Sequence, residues 1–242
     1  MQLMAPWVPA FTSAVSRHAE SAAFVTFSFA TVDIEGCPNV RTCIFRGFLF
    51  GDKKTNILTF TTDVRMEKFE HLQKNPKFEA CFWFPNSNVQ FRLSGHARCV
   101  TLGNISTINA EIGDYPLVSP NVIEQYSSNT DLSHMLPHEP HKPSAEEWEQ
   151  ELTNKWVNLS TKLKSSFRKP EPGSKVTPEK QKLLDSISRG VDGSNEEDGK
   201  KNYGLVLLLV DKVDYVDLNG HQARYIYERY DQDQWSEEEV CP

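Results

Sequence analysis

No apolar run in this 242-residue sequence approaches the ~20 residues that a membrane-spanning helix needs; the longest is Leu205–Val210. No two cysteines form a CxxC pair. Cys37, Cys43, Cys81, Cys99 and Cys241 are odd in number and irregular in spacing, which reads as reduced thiols and argues against a disulfide framework. Neither a GxGxxG turn nor a Walker loop occurs, so neither familiar nucleotide motif is available. Basic residues are in deficit, 26 Lys and Arg against 33 Asp and Glu, which argues against a general nucleic-acid binder. Met1–Trp7 has neither the basic nor the long apolar region of a secretion signal. These absences set the expectation of a cytoplasmic protein with no membrane or nucleic-acid partner.

What is present is enough for a substantial core. Hydrophobic residues make up 38% of the chain, with 14 Phe and 5 Trp, which excludes wholesale disorder. The net charge of −7 is unevenly spread: residues 37–100 carry +5 and the remainder −12. The first half is therefore where an anion would be held.

The pattern predicts a helix from Trp7 to about Glu20, with Trp7, Phe11, Val15 and His18 on one side. Strands are predicted at 23–32, 39–50 and 57–62, a short helix carrying Met66, Phe69 and Leu72, then strands at 78–84 and 89–100. This order is that of a small antiparallel barrel. Helices are predicted at 104–112 and 145–167, with a connection over 117–143. Strands return at 203–210, 212–218 and 224–230, the last of them followed by an acidic, solvated tail at Glu237–Glu239. The expected fold is mainly β, a split antiparallel barrel with flanking helices. It is a single domain over residues 1–242, with 102–202 a helical and loop insertion and 190–202 mobile.

Four cations stand near the strand ends: Arg41, Arg46, Arg65 and Lys68. Arg65 and Lys68 fall in the first turn of the helix expected after Thr61, Thr62 and Asp63. Free backbone N–H groups, two hydroxyls and two charges there would make a phosphate cradle. Arg41 and Arg46 are five apart, so strict alternation puts them on opposite faces, and serving one ligand requires a bulge or strand end between them. His134, His138 and His141 are spaced across prolines with no completing ligand, and no metal site is expected.

The segments Pro38–Gly47 (PNVRTCIFRG), Thr59–Lys68 (TFTTDVRMEK), Asn75–Phe84 (NPKFEACFWF) and Gln90–Ala97 (QFRLSGHA) carry a resemblance, in motif and spacing. So do Trp156–Ser160, Pro170–Gly173 and Arg224–Arg229 with Trp235 and Pro242. Together they resemble the pyridoxamine 5′-phosphate oxidase-like family of FMN-binding split barrels over roughly two-thirds of the chain.

The resemblance implies FMN as cofactor and a homodimer that builds the flavin slot between subunits. It implies phosphate contacts from Arg41 and Lys68 with Arg65 nearby, and a contact from Thr42 beside Arg41. It places Thr61 and Thr62 on the phosphate and ribityl oxygens, Gln90 across the dimer interface, and Ser160 and Arg224 among the late contacts. Arg46 takes the place of a basic residue beside the flavin ring and substrate. The implied activity is that of an FMN-dependent oxidoreductase with an unidentified small-molecule substrate and no assigned catalytic acid or base. The family's substrate-phosphate group after the fifth strand has no match between Leu102 and Asn154, and Gly220 and Gln222 stand where an Arg-x-His is expected. An FMN-binding or sequestering protein without turnover is the alternative, and a non-flavin interaction module a second.

Overall fold

Phe27 and Phe29 are buried while Thr26 and Ser28 are exposed along β1 (Thr26–Val32), the period-two signature of a strand with one face on a core. The computed structural model describes residues 3–128, 141–193 and 195–242. β1 pairs on one side with β2 (Pro38–Ile44) and on the other with β4 (Lys77–Phe84). β5 (Val89–Val100) follows β4 through Pro85–Ser87 and lies along the whole of β6 (Tyr203–Asp217). β6 is the spine of the sheet. Its first half pairs β3 (Ile57–Asp63), and its second half pairs β7 (Ala223–Asp231), which leads to β8 (Gln234–Val240).

All eight strands belong to one antiparallel sheet with flanking helices, an open split barrel. The chain just beyond β2 touches β3, where Arg46 N–H donates to Thr59 O at 2.8 Å and Thr59 N–H to Gly47 O at 2.9 Å, but the sheet does not close. The expected strands at 203–210 and 212–218 are one strand with a bulge. Ser94 pairs Lys212 while Gly95 pairs Val210, so Asp211 is the extra residue. Glycine is required there: a Cβ on Gly95 would lie 2.1 Å from Leu209 O.

Two apolar clusters cover the two faces. The barrel interior holds Phe27, Phe29, Phe60, Phe82 and Phe91, plugged by α1 (Val8–Ala19) through Trp7 and Phe11. Phe11 meets the rings of Phe82 and Phe91 edge-on at 5.0 and 5.3 Å. The other face of β3 and β6, carrying Ile57, Leu205 and Leu207, is covered by Trp148, Leu152 and Trp156. The short helix α2 (Glu67–Lys74) sits between β3 and β4.

Several sequence expectations are corrected. The connection after β5 holds α3 (Ile108–Ile112) and α4 (Pro120–Ser128), the latter inside a stretch read as loop. The helix expected over 145–167 is two, α5 (Ala145–Val157) and α6 (Thr161–Ser166), because Ser160 caps a new helix by accepting from Leu163 N–H. α7 (Pro178–Arg189) and a 3-10 helix (Glu196–Asn202) follow. Glu237–Glu239 belong to β8, where Glu237 pairs Tyr227 and Glu239 pairs Tyr225. An exposed edge strand with charged side chains guards against edge-to-edge pairing. His134 and His138 lie outside the described residues.

Candidate functional site

Arg41 and Phe29 are direct cross-strand partners, so Arg41 leans over the barrel-side face of β1. Its Nη1 donates to Thr31 Oγ1 at 2.7 Å, to Asn39 O at 2.9 Å and to Phe29 O at 3.3 Å. Thr31 Oγ1 also shares a 3.0 Å hydrogen bond with His71 Nδ1 of α2. Lys68, on the same helix, is buried; its Nζ donates to Thr62 Oγ1 at 3.2 Å and lies against Met66 Sδ. Among the described residues, neither Arg41 nor Lys68 has an ion-pair partner. Burial pushes the pKa of both cations down, and the two repel each other across Cys43, whose own thiol burial raises to about 11. Two partly desolvated positive charges therefore converge without an ion pair to any described residue, Glu67 and Asp63 acting on them only beyond ion-pair distance.

Arg46 is a third unpaired cation. β2 ends at Ile44, so the strand end required between Arg41 and Arg46 is present. The Arg46 guanidinium makes no hydrogen bond or ion pair among the described residues, and its Nε is sealed from solvent. Its pKa is lowered by burial. Its carbonyl accepts from Lys155 Nζ at 2.9 Å. Lys155 is in turn 3.5 Å from Glu151, which accepts from Phe50 N–H.

The other predicted residues fall elsewhere. Asp63 does not cap a helix. Its carboxylate takes the backbone N–H and the guanidinium of Arg65, so α2 begins only at Glu67, and its N-cap residue Met66 makes no side-chain cap. Arg65 precedes the helix, with its charge neutralised by Asp63 and its Nη atoms also held by Phe167 O and Lys169 O. The expected helix-terminus cradle with two free cations thus reduces to Lys68. Thr61 and Thr62 point to opposite faces of β3: Thr62 toward Lys68, Thr61 toward the helix-covered side beside Leu205. Thr42 is exposed on the outer side of β2. Ser160 is exposed, with its hydroxyl engaged as the α6 cap.

Gln90 and Arg224 share one cross-strand row on the outer face of the sheet. Trp83 pairs Gln90, Gln90 pairs Val216, and Val216 pairs Arg224. Trp83 is 43% exposed there. Arg224 donates to both oxygens of Asp214 at 3.0 and 2.8 Å, and Arg92 pairs with the same carboxylate. Burial pushes Asp214 up, but the hydrogen bonds from both arginines outweigh it and hold its carboxyl below the usual range. Among the described residues, no hydrogen bond or ion pair joins this row to Arg41 or Lys68.

A separate open cleft of about 640 Å³ lies beside the bulge, lined by His96, Tyr115, Asp211 and Arg229 among others. Its central charges satisfy one another: Asp211 accepts from Arg229 and bonds His96 at 2.8 Å, while Arg229 stacks 4.6 Å over the Tyr115 ring. Thr31 and His71, which stand beside Arg41, are not legible in the sequence as site residues. Cross-strand register and the packing of α2 place them, and neither leaves a local sequence signal.

A family model, pyridoxamine 5′-phosphate oxidase, FMN-binding domain, matches residues 4–101, the span that holds Arg41, Arg46 and Lys68. An uncharacterized protein of Saccharomyces cerevisiae is 36% identical over 99% of both chains. Pyridoxine/pyridoxamine 5′-phosphate oxidase 2 of Arabidopsis thaliana is 25% identical over 92% of this chain and 88% of its own. A pyridoxamine 5′-phosphate oxidase-related, FMN-binding protein of Nostoc punctiforme superposes with a TM-score of 0.70 at 26% identity, covering all of both chains. The protein belongs to the pyridoxamine 5′-phosphate oxidase-like family of FMN-binding split-barrel proteins.

Proposed function

We propose that the protein binds FMN and acts as an FMN-dependent oxidoreductase on a small molecule. One observation carries the reading. Arg65, Arg92, Arg168, Arg224 and Arg229 each have a carboxylate partner, whereas the half-buried Arg41 and Arg46 and the buried Lys68 have none among the described residues. Desolvated charge without a counter-ion is unfavourable, and a bound anion relieves it.

The residues fit the cofactor. Arg41, Lys68 and the Thr62 hydroxyl supply two charges and a hydroxyl for a phosphate dianion. Lys68 is clamped by α2 packing and Arg41 by Thr31, so both are held in place before the ligand arrives. FMN supplies redox chemistry when bound; the chain supplies binding, orientation and exclusion of water. Arg46 stands at the ring and substrate end, where its charge offsets negative charge on either. We assign the outer face bearing Trp83, Gln90 and Arg224 to a homodimer interface, so that Gln90 and Arg224 reach the cofactor of a second copy. Arg65 keeps the 167–169 segment against β3, next to this site.

FMN binding without turnover is the second reading. The family resemblance places an Arg and a His where this chain has Gly220 and Gln222, which form a tight turn at φ 53° and 56° between β6 and β7. That turn offers neither charge nor imidazole to a substrate. Absorbance of the purified protein, followed by anaerobic mixing with NADH, NADPH and pyridoxamine phosphate, separates the two. Bleaching of a bound flavin by any donor supports the oxidoreductase. A stable yellow protein that no donor reduces supports sequestration, and a colourless protein with no affinity for FMN removes both.

A further inference from the structure

Thr31 lies on the same side of β1 as Phe29 and is 1% exposed. Asn39 is its direct partner on β2, so Arg41 stands diagonal to it. The last turn of α2 brings the buried His71 onto the same hydroxyl. Among the described residues, Thr31 Oγ1 has two partners, Arg41 Nη1 at 2.7 Å and His71 Nδ1 at 3.0 Å.

What each group can donate fixes the direction of both bonds. A guanidinium only donates, so Thr31 Oγ1 accepts from Arg41. The hydroxyl carries one proton, and a buried hydroxyl proton without an acceptor is costly. His71 Nδ1 is the remaining partner, so it accepts that proton, and the ring proton sits on Nε2. The imidazole thereby turns the hydroxyl so that a lone pair faces Arg41. The same Nη1 also donates to Phe29 O and Asn39 O. All three bonds fall on one nitrogen. Nε and Nη2, an edge that can grip an oxyanion with two parallel N–H bonds, have no partner among the described residues.

We propose that His71, acting through the Thr31 hydroxyl, is a positioning residue for Arg41. The relay holds Nη1 against β1 and β2 and leaves the Nε and Nη2 edge for the phosphate. A long side chain already held in place loses less freedom when the ligand arrives. The positioning role rests on the flavin reading, whereas the direction of the relay does not.

The test joins two measurements on the full chain. Nitrogen NMR of the histidine rings at mildly alkaline pH, with the His71 signal identified by its loss in His71→Asn, should place the His71 proton on Nε2. FMN and riboflavin are then titrated into wild type, Thr31→Val and His71→Phe. Each variant should weaken FMN about fivefold, the worth of one hydrogen bond, and leave riboflavin affinity unchanged. Thr31→Ser and His71→Asn, which keep the hydroxyl and an acceptor, should stay close to wild type. In an Arg41→Ala background, Thr31→Val and His71→Phe should change FMN affinity no further, because both act through Arg41. A ring proton on Nδ1 would overturn the proposal. So would unchanged FMN affinity in Thr31→Val and His71→Phe, an equal loss of FMN and riboflavin, which marks a merely structural role, or a loss that persists without Arg41. If wild type binds no FMN, the flavin reading fails, and the position of the His71 proton alone upholds or overturns the relay.

Discussion

The Asp63 carboxylate grips the Arg65 guanidinium with both oxygens, Oδ1 to Nε at 2.9 Å and Oδ2 to Nη2 at 2.6 Å. A bidentate pair of this kind spends the arginine's charge within the protein. Arg65→Ala should therefore change FMN affinity less than threefold. It should cost about 2–3 kcal/mol of stability, because Asp63 is left buried without its partner and the 167–169 segment loses its anchor. Urea unfolding and FMN titration of the same variant check both halves.

Arg41 and Lys68 should behave in the opposite way. Arg41→Ala and Lys68→Ala should each weaken FMN by about 1.5–3 kcal/mol, the worth of a charged hydrogen bond. Lys68→Met should leave stability unchanged or raise it, since it removes a buried, unpaired charge. The pH dependence follows from burial, which lowers the Lys68 pKa below its usual 10.5. The cation is needed for binding and is lost as pH rises through that lowered value. FMN affinity should fall on the alkaline side before pH 10.5, and the alkaline fall should shrink in Lys68→Arg. Fluorescence quenching of FMN across pH measures it.

Asp214 holds two arginines on the outer face. Its folded pKa is depressed, so its contribution is present at neutral pH and is lost as pH falls through the folded value, below the ordinary 3.8. Asp214→Asn should destabilise by about 1.5–3 kcal/mol at pH 7. The difference from wild type should narrow below about pH 4. Denaturant midpoints at the two pH values test the sign.

Gly95→Ala tests the bulge. The added methyl would sit 2.1 Å from Leu209 O and 2.9 Å from Asp211 N, both backbone atoms that cannot rotate away. A loss of about 3 kcal/mol is expected from overpacking, seen as a lower denaturant midpoint.

Much of the barrel was readable because its signals are local. β3, β4 and β5 follow alternation bounded by turn residues, and their ends fell within a residue or so of expectation. α4 and α7 were missed because polar, Ser- and Lys-rich segments carry a weak apolar period, and α7 buries only Ile187 among its described residues. β8 was missed because its stability comes from pairing with β7, which a run of glutamates does not announce. Within the site, residue types were legible and partnerships were not. Arg41, Arg46, Arg65 and Lys68 look equivalent along the chain. Only the structure separates Arg65, spent on Asp63, from the three that remain unpaired.

The central claim is that Arg41 and Lys68 hold the phosphate of FMN. Titration of FMN and of riboflavin, which lacks the phosphate, into wild type and Arg41→Ala tests it most directly. FMN should bind wild type at least tenfold more tightly than riboflavin, and Arg41→Ala should erase most of that preference. Equal affinities for FMN and riboflavin in wild type, or a preference that survives in Arg41→Ala, would contradict it.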